Sequence, residues 1–176
     1  MRLNQIAFAL IGVALVGCTT RPPADIQPVT GFEVDRYLGT WYEIARLDHS
    51  FERGLSDVTA NYTLQDNGTI KVVNRGRDEA QGDWNEATGK AKFRGDADVG
   101  SLKVSFFGPF YGGYHIVELD EDYNYAMVAG PTKNFLWILA REPHLDETLY
   151  DRLIDAANAL GFPTKELIRV EHSEER

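Results

Sequence analysis

From Leu38 almost to Arg141 the chain alternates apolar and polar residues with a period of two. Val58, Ala60, Tyr62 and Leu64 are interleaved with Thr59, Asn61 and Thr63, and Leu102, Val104 and Phe106 with Lys103 and Ser105. A repeat of two belongs to strands with one dry and one wetter face. It predicts eight of them, over about 38–49, 56–65, 69–77, 82–94, 101–107, 112–120, 124–131 and 134–142. Turn residues separate them at Asp66-Asn67-Gly68, Gly95 to Gly100, Gly108-Pro109, Asp120 to Asn124 and Gly130-Pro131. Short links of this kind imply an up-and-down meander. Eight antiparallel strands with no helix over their edges are best closed on themselves, so the predicted class is all-β, an eight-stranded antiparallel up-and-down barrel.

Only beyond the eighth strand does the period change. Pro143 and Asp146 mark a helix start, Leu149, Leu153, Ile154, Ala157 and Leu160 share one face, and Gly161 with Pro163 marks the stop. This single C-terminal helix is expected to pack its apolar stripe on the outside of the barrel. A short ninth strand is expected at Leu167 to Val170.

The N-terminus has a different character. Arg2 precedes an apolar run from Ile6 to Val16, too short to span a bilayer and of the length of a secretory leader. It ends in Leu15-Val16-Gly17-Cys18, which holds the only cysteine and resembles the lipobox of bacterial lipoproteins. That resemblance implies removal of residues 1–17, acylation of Cys18 and, with Thr19 rather than Asp following, an outer-membrane anchor with the barrel facing the periplasm. Several acyl chains at about 0.8 kcal/mol per buried CH₂ hold a protein stably. Residues 18–30, with Pro22, Pro23 and Pro28, are expected to be a semi-rigid tether reaching roughly 30 to 40 Å. Residues 31–176 form the single barrel domain.

The formal charge of −9 grows by one unit when Arg2 leaves with the leader. Such a surface disfavours nucleic acid and lacks long-range attraction for anionic lipid. Anchoring then rests on the acyl chains.

Gly39-Thr40-Trp41 at the start of the first strand and Arg141 at the end of the eighth resemble the paired motifs of the lipocalins. Leu119 to Gly130 resembles the family's middle motif, without its usual Thr-Asp-Tyr. Leu38 to Arg46, Phe51-Glu52-Arg53-Gly54 and Phe106 to Tyr114 are similar to bacterial members of the apolipoprotein D-like group, over nearly the whole mature chain. The resemblance implies a structural meeting of Gly39, Trp41 and Arg141 on the barrel floor. It also implies storage or transport of membrane-derived lipids (fatty acids, phospholipids, lysophospholipids) under envelope stress. A guanidinium over an indole contributes roughly 0.5 to 2 kcal/mol.

Alternation from Trp41 assigns an inward face to Ala45, Val58, Ala60, Tyr62, Val72, Asn74, Ala91, Phe93, Leu102, Val104, Phe106, His115, Val117, Val128, Trp137 and Leu139. An eight-stranded barrel is either packed solid or holds one small ligand. Ala45, Ala60 and Ala91 are small for its centre and favour a cavity; a filled barrel in a structural lipoprotein is the alternative. A wall this apolar, with few polar groups, suits a long chain with one polar end. Glu43 also points inward and requires a partner.

Catalytic signatures do not accumulate. The four histidines are scattered, a second cysteine for zinc is lacking, and Gly-x-Ser-x-Gly does not occur. No cofactor or metal is expected, and the chain reads as a binder rather than an enzyme. Counting hairpins upward from Trp41 places Phe51, Leu55, Phe107, Phe110 and Tyr111 at the open end, as a lid, a membrane-touching patch or a homodimer contact. His115, Asn74 or Arg53 is expected near a lipid headgroup.

Overall fold

A computed structural model describes residues 19–173. A short helix, α1 (Val34–Tyr37), precedes eight strands: β1 (Gly39–Leu47), β2 (Leu55–Leu64), β3 (Ile70–Asp78), β4 (Trp84–Phe93), β5 (Ser101–Ser105), β6 (Gly112–Leu119), β7 (Tyr125–Ala129) and β8 (Leu136–Ala140). Helix α2 (Glu147–Ala159), a 3-10 turn at Thr164–Glu166 and β9 (Leu167–Arg169) complete the chain. All pairings are antiparallel. The sheet runs β2 to β8 in sequence, then β1 and β9, and β1 also pairs with β2 to close the barrel. The eight expected strands are present, with several ends trimmed: β5 stops at Ser105 and β8 spans only Leu136–Ala140.

Local chemistry sets the hairpins. Between β2 and β3, Gly68 adopts φ +75°, open to glycine at no steric cost, and Asn67 Oδ1 accepts the Thr69 N–H at 3.0 Å. The closing strand is β1. Its first half pairs with β2, from Gly39 opposite Tyr62 to Tyr42 opposite Thr59, while its second half pairs with β8 and β9. One edge of β1 thus carries β2 and then β9, the other carries β8, and the β1–β8 ladder holds a bulge between Glu43 and Ala45.

The floor is sealed around Trp41, which is fully buried. Its indole N–H donates to the Tyr37 carbonyl at 2.8 Å, and the Arg141 guanidinium lies 4.0 Å from the ring centroid. Arg141 also donates to the carbonyls of Thr40 and Arg36, both at 2.8 Å. Helix α1, too short for a periodic signal, thereby becomes the plug of the barrel.

Helix α2 starts where Asp146 accepts the Leu149 N–H at 3.1 Å. Leu153 and Ala157 are fully buried, in a cluster with Ile44, Met127, Ala129 and Ile138 from the outer faces of β1, β7 and β8. The second core therefore lies outside the barrel wall.

The Pro-rich segment departs from expectation. Instead of a tether standing off the body, residues 19–32 lie along the barrel. Ile26 is 1% exposed within the α2 layer, the Val29 N–H donates to the Ile116 carbonyl at 2.9 Å, and Thr30 bridges Val99. The reason is the apolar series Ile26, Val29 and Phe32, which gains more from burial than the chain loses in freedom. Residues 19–32 thus pack against the barrel domain. The leader 1–17 and Cys18 lie outside the described residues. No described helix is long and apolar enough to cross a membrane.

Because Ile26 is buried, Ile26→Ala is expected to lower unfolding stability by about 2 to 5 kcal/mol, read by urea denaturation. An unchanged midpoint would mean that the segment is not part of the cooperative unit.

Candidate ligand-binding site

The strand registers bring one apolar wall together inside the barrel. It contains Trp41, Ala60, Tyr62, Val72, Ala91, Phe93, Leu102, Val104, Phe106, Val128, Trp137 and Leu139. Val58 shares this face, its Cγ2 3.2 Å from where a Cβ on Gly76 would stand. Asn74, opposite Ala60, is half-buried and its Oδ1 has no partner.

Three residues expected inside are elsewhere. Ala45 packs in the α2 layer, because the bulge in β1 turns Ile44 and Ala45 to the same outer side and sends Arg46 inward. Val117 also belongs to that outer layer: it is the extra residue of a second bulge, between Ile116 and Glu118. His115 is fully buried but outside the wall, beside Ser101 and under the N-terminal segment, while Tyr114 and Ile116 take the inward positions. Both neighbours are as apolar as the residues expected there, so alternation alone did not fix the parity of β6.

The wall is dry below and open above. Along the inward side of β4, Ala91 is buried, Gly89 is half-buried and Ala87 is exposed. Ala60, Val104, Phe106 and Trp137 face inward and are still half-exposed, which a solid core would not allow. Gly89 matters to this shape, since a Cβ there would stand 2.8 Å from the Phe106 ring. Around the rim Phe51, Phe107 and Phe110 are 61%, 82% and 65% exposed, joined by Trp84 at 49%. Leu55 and Tyr111 are only half-buried. Trp84, at the tip of a hairpin, lay outside the sequence signal; an aromatic at a strand end was the available hint.

Two polar groups interrupt the wall. Low down, the Tyr114 hydroxyl is 2.6 Å from that of Tyr37 and 2.9 Å from that of Tyr62. Burial pushes all three phenols above their ordinary range. Higher up, Arg46 Nη1 donates to Glu43 Oε1 at 2.8 Å, and Nη2 donates to the carbonyls of Glu52 and Leu55 at 2.8 and 3.1 Å. This guanidinium holds the β1–β2 loop over the mouth. The loop in turn delivers Glu52, whose Oε2 accepts the Trp137 indole N–H at 3.0 Å and lies 3.0 Å from His49 Nε2. Neither Arg46 nor Glu52 was expected in the site; only the inward Glu43, which needs a buried partner, signalled them. Arg53 sits outside the cavity, paired with Asp48 and exposed.

A sealed floor, an open mouth and an apolar wall with the Trp41–Arg141 lock match a known family. A model of the lipocalin-like domain matches residues 32–172. The chain belongs to the lipocalin family. It is 49% identical over 170 residues to the outer membrane lipoprotein Blc of Vibrio cholerae serotype O1, covering 96% of this chain and 99% of that relative. To the outer membrane lipoprotein Blc of Escherichia coli K12 it is 44% identical, covering 96% of each. Among solved structures, insecticyanin from the tobacco hornworm Manduca sexta superposes with a TM-score of 0.70 at 23% identity, over 88% of this chain and 87% of that one.

In this lipocalin, His115 contacts Ser101, Nδ1 to Oγ at 3.1 Å, a pairing that nucleophilic catalysis also uses. Here His115 is sealed from solvent, and burial with Arg94 nearby pushes its pKa down to about 4. The pair packs the N-terminal segment. Among the described residues no group of three or more His, Cys, Asp and Glu is placed to hold a metal.

Burial, with Glu52 close by, pushes the Glu43 carboxyl up to about 8 against the pull of Arg46. The folded state then keeps a proton that the unfolded chain releases near its ordinary value of 4.5, so stability is expected to fall as pH rises from about 4.5 to about 8. Glu43→Gln removes this titration. Thermal unfolding followed from pH 5 to 9 is expected to show a shallower decline for the variant; parallel curves would refute the assignment.

Proposed function

We propose that the protein binds membrane-derived lipids, meaning fatty acids, phospholipids or lysophospholipids, in its barrel and stores or carries them for envelope maintenance under stress. One observation carries this reading: inward apolar side chains remain accessible from a mouth above a sealed floor. A narrow apolar shaft with polar groups near its opening suits an acyl chain with its head toward the mouth. The exposed aromatic rim supports passage of an apolar chain through that end. In the two bacterial relatives, "outer membrane lipoprotein" is part of the name. Together with the lipobox-like sequence ending at Cys18, this supports acylation there and an outer-membrane anchor, with the barrel in the periplasm. The protein acts by binding, without chemistry on its ligand.

Cys18→Ala is expected to leave the protein out of the outer membrane, in the soluble periplasmic fraction or as precursor. Recovery of that variant in outer-membrane fractions at the normal level would refute acylation at Cys18. Inside the barrel, Ala60→Trp separates a cavity from a filled core. Overpacking a filled core costs about 1 to 3 kcal/mol, whereas an open shaft accepts the ring and loses its ligand. The expected result is a nearly unchanged melting temperature and fatty-acid affinity lowered about tenfold or more. Severe destabilisation would indicate a filled core.

A further inference from the structure

The wall of the mouth is one positive charge short. Glu43, Glu52 and Arg46 are 4%, 7% and 2% exposed, so their charges must be matched locally. Arg46 is committed to Glu43 Oε1 and to two loop carbonyls, which leaves it no contact with the Glu52 carboxylate. Glu52 Oε2 receives Trp137 and lies beside His49. Among the described residues, Glu43 Oε2 and Glu52 Oε1 accept no hydrogen bond from the protein. Two buried carboxylates and one fixed guanidinium leave one charge to be balanced, and the proton that burial holds on Glu43 balances it before a ligand arrives.

The surroundings suit an organic cation. The His49 ring stacks on Phe51 at 3.9 Å and lies 5.2 Å from Trp137, which in turn stacks with Phe135 at 6.2 Å. Aromatic faces beside a carboxylate are the setting in which ammonium groups are held. Leu139, opposite Glu43 in register, continues the cluster into the apolar wall, which reaches Tyr62 near the floor.

We infer that this cluster is a headgroup site for single-chain lipids whose head carries an ammonium group, seated between Glu43 and Glu52 with the chain descending toward Tyr62. The inference rests on the barrel binding acyl lipids, and it adds a selection by charge. A purely anionic head brings a negative charge to a wall that only the proton on Glu43 keeps neutral. An ammonium supplies the missing charge and displaces the proton.

The test uses the full mature chain with Cys18→Ser. Palmitoyl lysophosphatidylethanolamine and palmitoyl lysophosphatidylglycerol share chain and phosphate and differ in the amine; palmitate has neither phosphate nor amine. Quenching of the intrinsic tryptophan fluorescence, to which Trp137 beside the cluster contributes, is expected to report affinity about tenfold or more tighter for the ethanolamine lipid than for the glycerol lipid. Glu52→Gln is expected to weaken the first and strengthen the second, so that the ratio collapses. The amide oxygen can still accept from Trp137, and Arg46 binds the Glu52 backbone, so the loop stays in place. Glu43→Gln provides a second variant with the same expected collapse. Equal affinities in the unsubstituted cluster, or a ratio that survives both variants, overturn the charge selection while leaving lipid binding intact. Failure of all three lipids to bind overturns the barrel reading and this inference together.

Discussion

The contact between Arg141 and Trp41 determines what kind of barrel this is. One end of an eight-stranded barrel must be stopped if the other is to hold anything, and here a single guanidinium does it. It lies on the indole face and ties the carbonyls of Thr40 and Arg36, so β1, β8 and α1 meet at one point. The charge is accommodated because the site stays partly open: burial pulls Arg141 down, and the phenols of Tyr37 and Tyr62 oppose the shift. Above this lock the wall is free to remain hollow.

Besides a register shift in β2 between Ser56 and Thr59, bulges in β1 and β6 divide the work of the wall. Without the one between Glu43 and Ala45, β1 would keep one parity from floor to mouth, and Arg46 would face α2. With it, the lower half supplies Trp41 and Glu43 to the interior, the upper half supplies Arg46, and Ile44 and Ala45 both serve the outer core. The bulge at Val117 does the same for β6, giving Tyr114 and Ile116 to the inside and Val117 to the helix layer. At both of these places the interruption of the period of two puts an apolar residue outside and another side chain inside.

The polar groups of the cavity are graded by height. Three linked hydroxyls, whose ionisation burial pushes up, lie low, near the Arg141 guanidinium of the floor. The ionic cluster lies at the mouth, where Arg46 also fastens the β1–β2 loop. Buried ion pairs stabilise weakly when their desolvation is counted, and this one is better understood as setting a loop and a local charge. Fold and recognition share one guanidinium.

The sequence by itself determined the class, the strand order and the outer helix, because alternation and turn residues are local signals, while the meeting of Trp41 and Arg141 was implied by the resemblance of their two motifs to those of the lipocalins. It also placed most of the apolar wall, from Ala60 to Leu139, since parity propagates along any stretch of strand without a bulge. Tertiary structure alone decided the rest. Bulges are written in hydrogen-bond register between strands, so Ala45, His115 and Val117 could not be excluded from the interior by counting. Arg46 and Glu52 came together through a loop folding back over the mouth, a contact with no periodic trace. The Pro-rich segment looked like a tether because proline stiffness is visible in one dimension, whereas the surfaces that bury Ile26 in the α2 layer and Phe32 against Tyr37, Phe93 and Tyr123 exist only once the barrel and α2 are assembled.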